Sequence, residues 1–226
     1  MEQDLITGAL YKKMLISGYN NLKKHADEVN DLNVFPIPDG DTGDNMCSTM
    51  YGGIKAITNI DGAPLNTIAQ KISDGMLLGA RGNSGVILSQ MFAGINSVLA
   101  KYETANFSQL IEAYDAGVKS AYNSVSTPVE GTILTVIREA NGLAKKKTQS
   151  TSSIHEYLVN YLVEAKTSLD NTPESLDVLK EAGVVDSGGA GIFYIMEGFL
   201  KAFEGEDVIN ETHDAPLTQK NWSLTF

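Results

Sequence analysis

The chain has 226 residues, a formal net charge of -11, 42% hydrophobic and 20% charged residues, which fits one soluble domain with a sizeable core. The acidic balance argues against a nucleic-acid partner and requires a bridging metal ion for any polyanionic ligand such as ATP. The single cysteine, Cys47, rules out an intrachain disulfide and a multi-cysteine metal site. With no basic-apolar leader at Met1 and no uncharged run of membrane-spanning length, a cytoplasmic protein without an integral membrane segment is expected.

Most of the chain repeats at helical period. A first helix runs from Leu5 through Met14 and Leu22 to about Val29, and a second starts near Asn45 with Met46, Met50, Ile54 and Ile57. A third begins at Pro64, a favoured first-turn residue, and carries Ile68, Ile72 and Leu77. A fourth carries Val86, Met91, Ile95 and Val98, and a fifth Phe107, Leu110, Tyr114 and Val125. The sixth spans residues 132–147 and the seventh residues 154–169; a short piece at 176–181 precedes a last helix over 189–203. Val184-Val185 is the one β-like fragment. The expectation is an all-α bundle or barrel of about eight amphipathic antiparallel helices, occupying residues 1–204, with a loop-like tail over 205–226.

Three connections are plain and polar. Four, at residues 38–45, 79–85, 127–132 and 186–191, are rich in glycine and small polar residues. These four precede the second, fourth, sixth and eighth helices. In an up-down bundle, alternate loops lie at the same end, so four helix N-termini would face one space. Free amides and the positive end of the helix dipole suit phosphate there.

Asp39, Asp41 and Asp44 crowd three carboxylates into one turn eased by Gly40 and Gly43, which suits a hard cation such as Mg²⁺ or Ca²⁺. A calcium hand does not fit, because Asp44 and Met50 stand where glycine and glutamate belong. The bland alternative is a solvated turn that caps the second helix. Residues 79–85 read as a phosphate cradle around Asn83, Ser84 and Gly85, or as a helix stop followed by a start. The pattern is neither a Walker A loop nor a nucleophile elbow, and no Gly-x-Gly-x-x-Gly occurs. Residues 130–132 and 186–189 can be plain caps. His25, His155 and His213 lack metal-ligand spacing, and Lys145-Lys146-Lys147 suits a solvated helix end.

Four stretches together resemble a known family: residues 32–46 (LNVFPIPDGDTGDNM), 79–90 (GARGNSGVILSQ), 128–134 (PVEGTIL) and 179–189 (LKEAGVVDSGG). They are similar to the A subunit of bacterial fatty acid kinase, within the wider group of the L-type ATP-binding domain of dihydroxyacetone kinases. The resemblance implies an eight-helix barrel with ATP or ADP at one rim. It implies two Mg²⁺ ions held by Asp39 and Asp41, the residues central to catalysis, with Asp44 or Asn33 as third ligand. It places Thr42, Gly43 and Asn45 on phosphate, Asn83, Ser84 and Gly85 in a second phosphate loop, Thr132 and Ile133 beside the nucleotide, and Asp186, Ser187 and Gly188 near ribose and base. No arginine stands near Pro173 to match one in dihydroxyacetone kinases, which argues against dihydroxyacetone as substrate. The implied reaction phosphorylates a fatty acid presented by a fatty-acid-binding carrier subunit, giving an acyl phosphate. The longer polypeptide of that family admits a homodimer, and residues 205–226 would lead to its downstream region. Two alternatives stand: the L subunit of a dihydroxyacetone-type kinase, which would carry a histidine where Thr42 stands, or a non-catalytic nucleotide-binding module.

Overall fold

Several helix starts are set by short polar side chains that satisfy the first free amides. Thr7 Oγ1 accepts the Leu10 N–H at 3.2 Å and opens α1 (Gly8–Lys24). Asn106 and Gln109 form a reciprocal capping box at α6 (Phe107–Asn123), and Ser153 caps α8 (Ile154–Asp170). The computed structural model describes residues 5–148 and 153–206. Its remaining helices are α2 (Ala26–Asp31), α3 (Thr42–Ile57), α4 (Leu65–Gly79), α5 (Gly82–Leu99), α7 (Ile133–Thr148), α9 (Thr172–Ser175), α10 (Asp177–Ala182) and α11 (Ser187–Phe203).

The eight long helices pack in a closed ring in the order α1, α3, α4, α5, α6, α7, α8, α11 and back to α1. Their inner faces share one core, in which Tyr157, Tyr161, Phe92 and Phe199 are the largest fully buried side chains. Rings of Tyr114, Tyr157 and Tyr161 meet edge-on at centroid distances of 5.5 to 6.0 Å. The Tyr157 hydroxyl donates to Asn141 Oδ1 at 2.8 Å, so this hydroxyl is paired inside the ring. Among the described residues no helix is long and apolar enough to cross a membrane.

Three helix pairs approach through glycine. A Cβ on Gly198 of α11 would lie 2.5 Å from the Ser17 carbonyl and 2.7 Å from the Gly18 Cα on α1. On Gly75 of α4 it would lie 2.5 Å from the Gly52 carbonyl of α3, and on Gly94 of α5 it would lie 2.4 Å from the Ala116 carbonyl of α6. These backbones touch where any larger residue would hold them apart.

The expected all-α barrel is what the chain forms, with three differences. The first helix breaks at His25, whose φ of -109° and ψ of 13° leave the helical region, and α2 follows as a separate short helix. The break lets α2 support the start of α3: Asn30 Oδ1 accepts the amides of Gly43 at 2.7 Å and Asp44 at 3.2 Å. A two-stranded antiparallel ladder, β1 (Ile6–Thr7) with β2 (Thr104–Ala105), joins the starts of α1 and α6. Val184-Val185 is not a strand. Gly183 at φ 69° turns the chain back, and the Val184 N–H bonds the Leu179 carbonyl to close α10. Residues 207–226, which include His213 and most of the expected tail, lie outside the described residues.

Candidate functional site

The starts of α3, α5, α7 and α11 line one cavity of about 750 Å³ at one end of the ring, as Thr42, Gly82, Ile133 and Ser187 show. The four glycine-rich loops therefore meet. The aspartate loop contributes Asn33, Phe35, Ile37, Asp39, Asp41, Thr42 and Asn45, and the second loop Arg81, Gly82, Asn83 and Ser84. The third contributes residues 124–127 with Val129, Thr132 and Ile133, and the fourth Asp186, Ser187 and Gly188.

Local hydrogen bonds set the shape of the aspartate loop. Asn33 Nδ2 donates to Asp39 Oδ1 at 2.8 Å, and Asn45 Nδ2 donates to Asp41 Oδ1 at 2.7 Å. Asp41 precedes α3 but its carboxylate caps no amide; Asn30 of α2 serves the first amides instead. The capping alternative thus fails for Asp41, and its carboxylate remains at the cavity wall. Partial burial, offset by the Asn45 hydrogen bond and reinforced by the charges of Asp39 and Asp44, pushes the Asp41 carboxyl above the usual carboxylate range.

Asp44 behaves differently from its neighbours. It is exposed and does not line the cavity. Among the described residues no three His, Cys, Asp or Glu side chains converge as a metal cage. At its aspartate loop the cavity instead supplies two carboxylates, Asp39 and Asp41, and one neutral oxygen. Asn33 is 7% exposed, and its Oδ1 has no hydrogen-bond partner. A buried carbonyl oxygen left unpaired beside two carboxylates fits a hard cation, and Mg²⁺ characteristically takes one or two carboxylates and completes its shell from water and phosphate. Gly43 and Gly85 stand behind the wall rather than in it. A Cβ on Gly43 would meet the Ala26 carbonyl at 2.3 Å, and one on Gly85 would meet Thr49 Oγ1 at 2.4 Å. Both glycines let supporting backbones come close.

The loops are tied to one another. Ser187 Oγ donates to Thr42 Oγ1 at 3.2 Å, linking the first loop to the fourth. The third loop is fastened from outside the cavity by Glu130, which accepts from Thr135 Oγ1 at 2.6 Å, Arg138 Nη2 at 2.7 Å and the Tyr122 hydroxyl at 3.2 Å.

Asp186 caps α11, accepting the Gly189 N–H at 2.7 Å. Burial pushes its carboxyl up to about 6, against the pull of backbone donors including Gly189. A folded-state value above the unfolded one contributes stability at low pH that is lost as pH rises through about 4 to about 6. The stretch from 3.8 to about 6 amounts to about 3 kcal/mol at 1.36 kcal/mol per pH unit. Urea unfolding of Asp186→Asn and parent across this window is expected to show a steeper decline in the parent; parallel curves would contradict the assignment.

Sequence reasoning did not single out Arg81, Phe35, Ile37 or residues 124–126 as cavity residues. Ser124 to Ser126 were hidden because Val125 continues the apolar period of the preceding helix, whereas α6 ends at Asn123.

The fold and cavity together define a class: an all-helical barrel that gathers alternate helix starts around an acidic pocket. The DAK2 domain matches residues 36–201, and the chain belongs to this family. It is 48% identical over 221 residues to an uncharacterized protein of Staphylococcus saprophyticus, covering 92% of this chain and 40% of the relative. An uncharacterized protein of Staphylococcus aureus is 47% identical over 203 residues, covering 90% of this chain and 37% of the relative. The chain thus spans about two fifths of the length of these relatives. In fold it is similar to the dihydroxyacetone kinase of C. freundii in complex with AMP-PNP and Mg²⁺, with a TM-score of 0.65 and 18% identity over 86% of this chain and 34% of that one. The native form of that kinase gives a TM-score of 0.63 with the same identity.

Proposed function

We propose that this chain is the nucleotide-binding phosphotransfer module of a kinase that takes a carboxylate acceptor, the fatty acid kinase reading of its motifs. The observation that carries the nucleotide part is the convergence of four helix starts on one cavity holding Asp39, Asp41 and the unpaired Asn33 Oδ1. The complex of the C. freundii kinase with AMP-PNP and Mg²⁺ supports it, because that protein shares this fold.

In this reading the amides at the starts of α3, α5, α7 and α11 bind phosphate oxygens, with Thr42, Asn45, Asn83 and Ser84 adding side-chain donors. Asp39, Asp41 and Asn33 hold Mg²⁺. When bound, the ion neutralises phosphate charge and orients the nucleotide. Asp44, exposed beside them, acts on the ion only through its charge. Thr132 and Ile133 flank the nucleotide, and Asp186, Ser187 and Gly188 shape the ribose and base end. Apolar Phe35, Ile87 and Leu134 on the cavity wall limit water around the reacting atoms.

The carboxylate part rests on the motif resemblance and on chemistry. A carboxylate is already ionised at neutral pH, so its attack requires no general base. No histidine lines the cavity among the described residues. A fatty-acid-binding carrier subunit presents the acceptor, and the rest of the longer polypeptide handles that carrier. With full-length protein, ATP and Mg²⁺, ADP release is expected to depend on a fatty-acid-loaded carrier. Phosphorylation of dihydroxyacetone in its place would overturn the acceptor assignment.

A substitution at the second loop tests the cavity itself. Ser84 is half-buried at the wall, on the first turn of α5. Ser84→Trp should fold, because the indole can project into the cavity, and should lower Mg²⁺-ATP affinity by about tenfold or more, about 1.4 kcal/mol. Calorimetry giving parental affinity in a folded variant would restrict Ser84 to a helix-start role.

A further inference from the structure

We propose that Arg81 is a catalytic residue: the cation that this cavity brings to the phosphoryl group in transfer. The inference rests on the nucleotide reading above and names a group that reading does not use. The charged side chains lining the cavity are Asp39, Asp41, Asp186 and Arg81, three acids and one base. An anionic acceptor meeting a phosphate in such surroundings faces repulsion from both, and Arg81 is the protein's one permanent positive charge on that wall.

The backbone of Arg81 is tied to α3, while its guanidinium is held only by one bond to the adjacent backbone. Its N–H reaches Thr49 Oγ1 at 3.4 Å, and its carbonyl accepts the Gly85 N–H at 3.1 Å. Thr49 is fully buried on α3, the helix that begins at the aspartate loop, and its own hydroxyl donates to the Asn45 carbonyl at 2.8 Å. Arg81 is thereby tethered to the element that positions Asp41 and Asn45. The guanidinium is exposed, donates through Nη1 to the Ala80 carbonyl at 2.7 Å, and forms no ion pair among the described residues, although Asp39 and Asp41 share its cavity.

The contrast with Arg138, the chain's other arginine, is informative. Arg138 is committed to Tyr122, Glu130 and Glu139 and fastens the third loop. Arg81 has no such commitment. A planar, permanently charged fork with free donors suits two oxygens at once, on a phosphoryl group or on the acceptor carboxylate. In the transfer, an acceptor carboxylate oxygen forms a bond to the γ-phosphorus. The bond from that phosphorus to the β–γ bridging oxygen breaks, and its electron pair leaves with ADP. No proton moves. Negative charge gathers on the three equatorial oxygens midway, where Arg81 offsets it; ground-state nucleotide is held by the helix amides and does not need the guanidinium.

The test is calorimetric binding of Mg²⁺-ADP with and without aluminium fluoride, an anionic mimic of the transferring group, to parent, Arg81→Gln and Arg81→Lys. All three are expected to bind Mg²⁺-ADP within about threefold of one another, because the guanidinium does not touch the ground state. Fluoride should tighten the parent by about tenfold or more, the Lys variant less, and the Gln variant not at all. In full-length enzyme, kcat of Arg81→Gln should fall by about 10³-fold with KM for ATP unchanged. Equal tightening in the Gln variant and the parent overturns the proposal, as does a parent that binds Mg²⁺-ADP but is not tightened. A Gln variant that loses Mg²⁺-ADP itself also overturns it, by making Arg81 a ground-state ligand. Failure of the parent to bind Mg²⁺-ADP contradicts the nucleotide reading instead.

Discussion

A chain carrying both Asp39→Asn and Asp41→Asn is expected to fold, to melt at or above the parent without metal, and to lose Mg²⁺-dependent nucleotide binding. The stability half follows from charge. Asp41 feels the neighbouring charges of Asp39 and Asp44, in a protein of net charge -11. Like charges about 4 Å apart cost about 1 to 4 kcal/mol, according to the effective dielectric. Asparagine removes that repulsion and keeps the shape, and its amide oxygen can still accept from Asn33 Nδ2 and Asn45 Nδ2. Nor is a cap lost, because Asp41 caps no amide of α3. The binding half follows from ligand chemistry: the protein would offer the cation only neutral oxygens on this loop. Affinity for Mg²⁺-ATP should fall on the order of a hundredfold or more, about 2.7 kcal/mol. Phosphotransfer in the full-length protein should vanish. Melting curves with and without Mg²⁺-ATP, run on both proteins, check the two halves together. Retained phosphotransfer would remove the two aspartates from the mechanism.

The largest stability effect is expected at Gly198→Val. The ring closes where α11 crosses α1, and the added Cβ meets backbone atoms of Ser17 and Gly18 rather than the movable end of a side chain. The helices must separate or shift, which strains the core packed between them. Overpacking of this kind costs about 3 kcal/mol or more. In a domain of this size each kcal/mol lowers Tm by about 2–4 °C, so the variant should melt about 6–12 °C below the parent. Gly142→Ala in α7 is the control. A Cβ there has no atom within 4 Å, and the gain in helix propensity should leave stability unchanged or raise it by about 0.5–1 kcal/mol. Equal melting of Gly198→Val and parent would contradict the close crossing.

The sequence made the rim legible because its chemistry is local. Glycines, prolines and short polar residues mark residues 38–45, 79–85, 127–132 and 186–191, and alternation along an up-down bundle was enough to place them at one end. The break at His25 was not legible. No proline or glycine interrupts residues 19–31, and what α2 packs against, the amides of Gly43 and Asp44, is distant in sequence. Two-residue strands such as Ile6–Thr7 are too short to show a period. The aspartate cluster was legible as a cluster, but not which members share a wall. Spacing cannot distinguish exposed Asp44 from Asn33, whose Oδ1 is buried and unpaired. Arg81 sat in a motif with no visible task, since its isolation among acids depends on residues from four loops. Nothing in the local sequence gives Gly18, Gly75 and Gly198 a task, and only the helix crossings explain them.

A cavity that binds nucleotide through a metal ion on Asp39 and Asp41 makes nucleotide stabilisation depend on that ion. Thermal unfolding of this chain with ATP, in Mg²⁺ and then in excess chelator, tests it most directly. With Mg²⁺, ATP at about a hundred times its dissociation constant should stabilise the fold by about 2.7 kcal/mol, and chelator should remove most of that gain. An unchanged melting temperature with ATP and Mg²⁺, or an equal gain in chelator, would contradict the account.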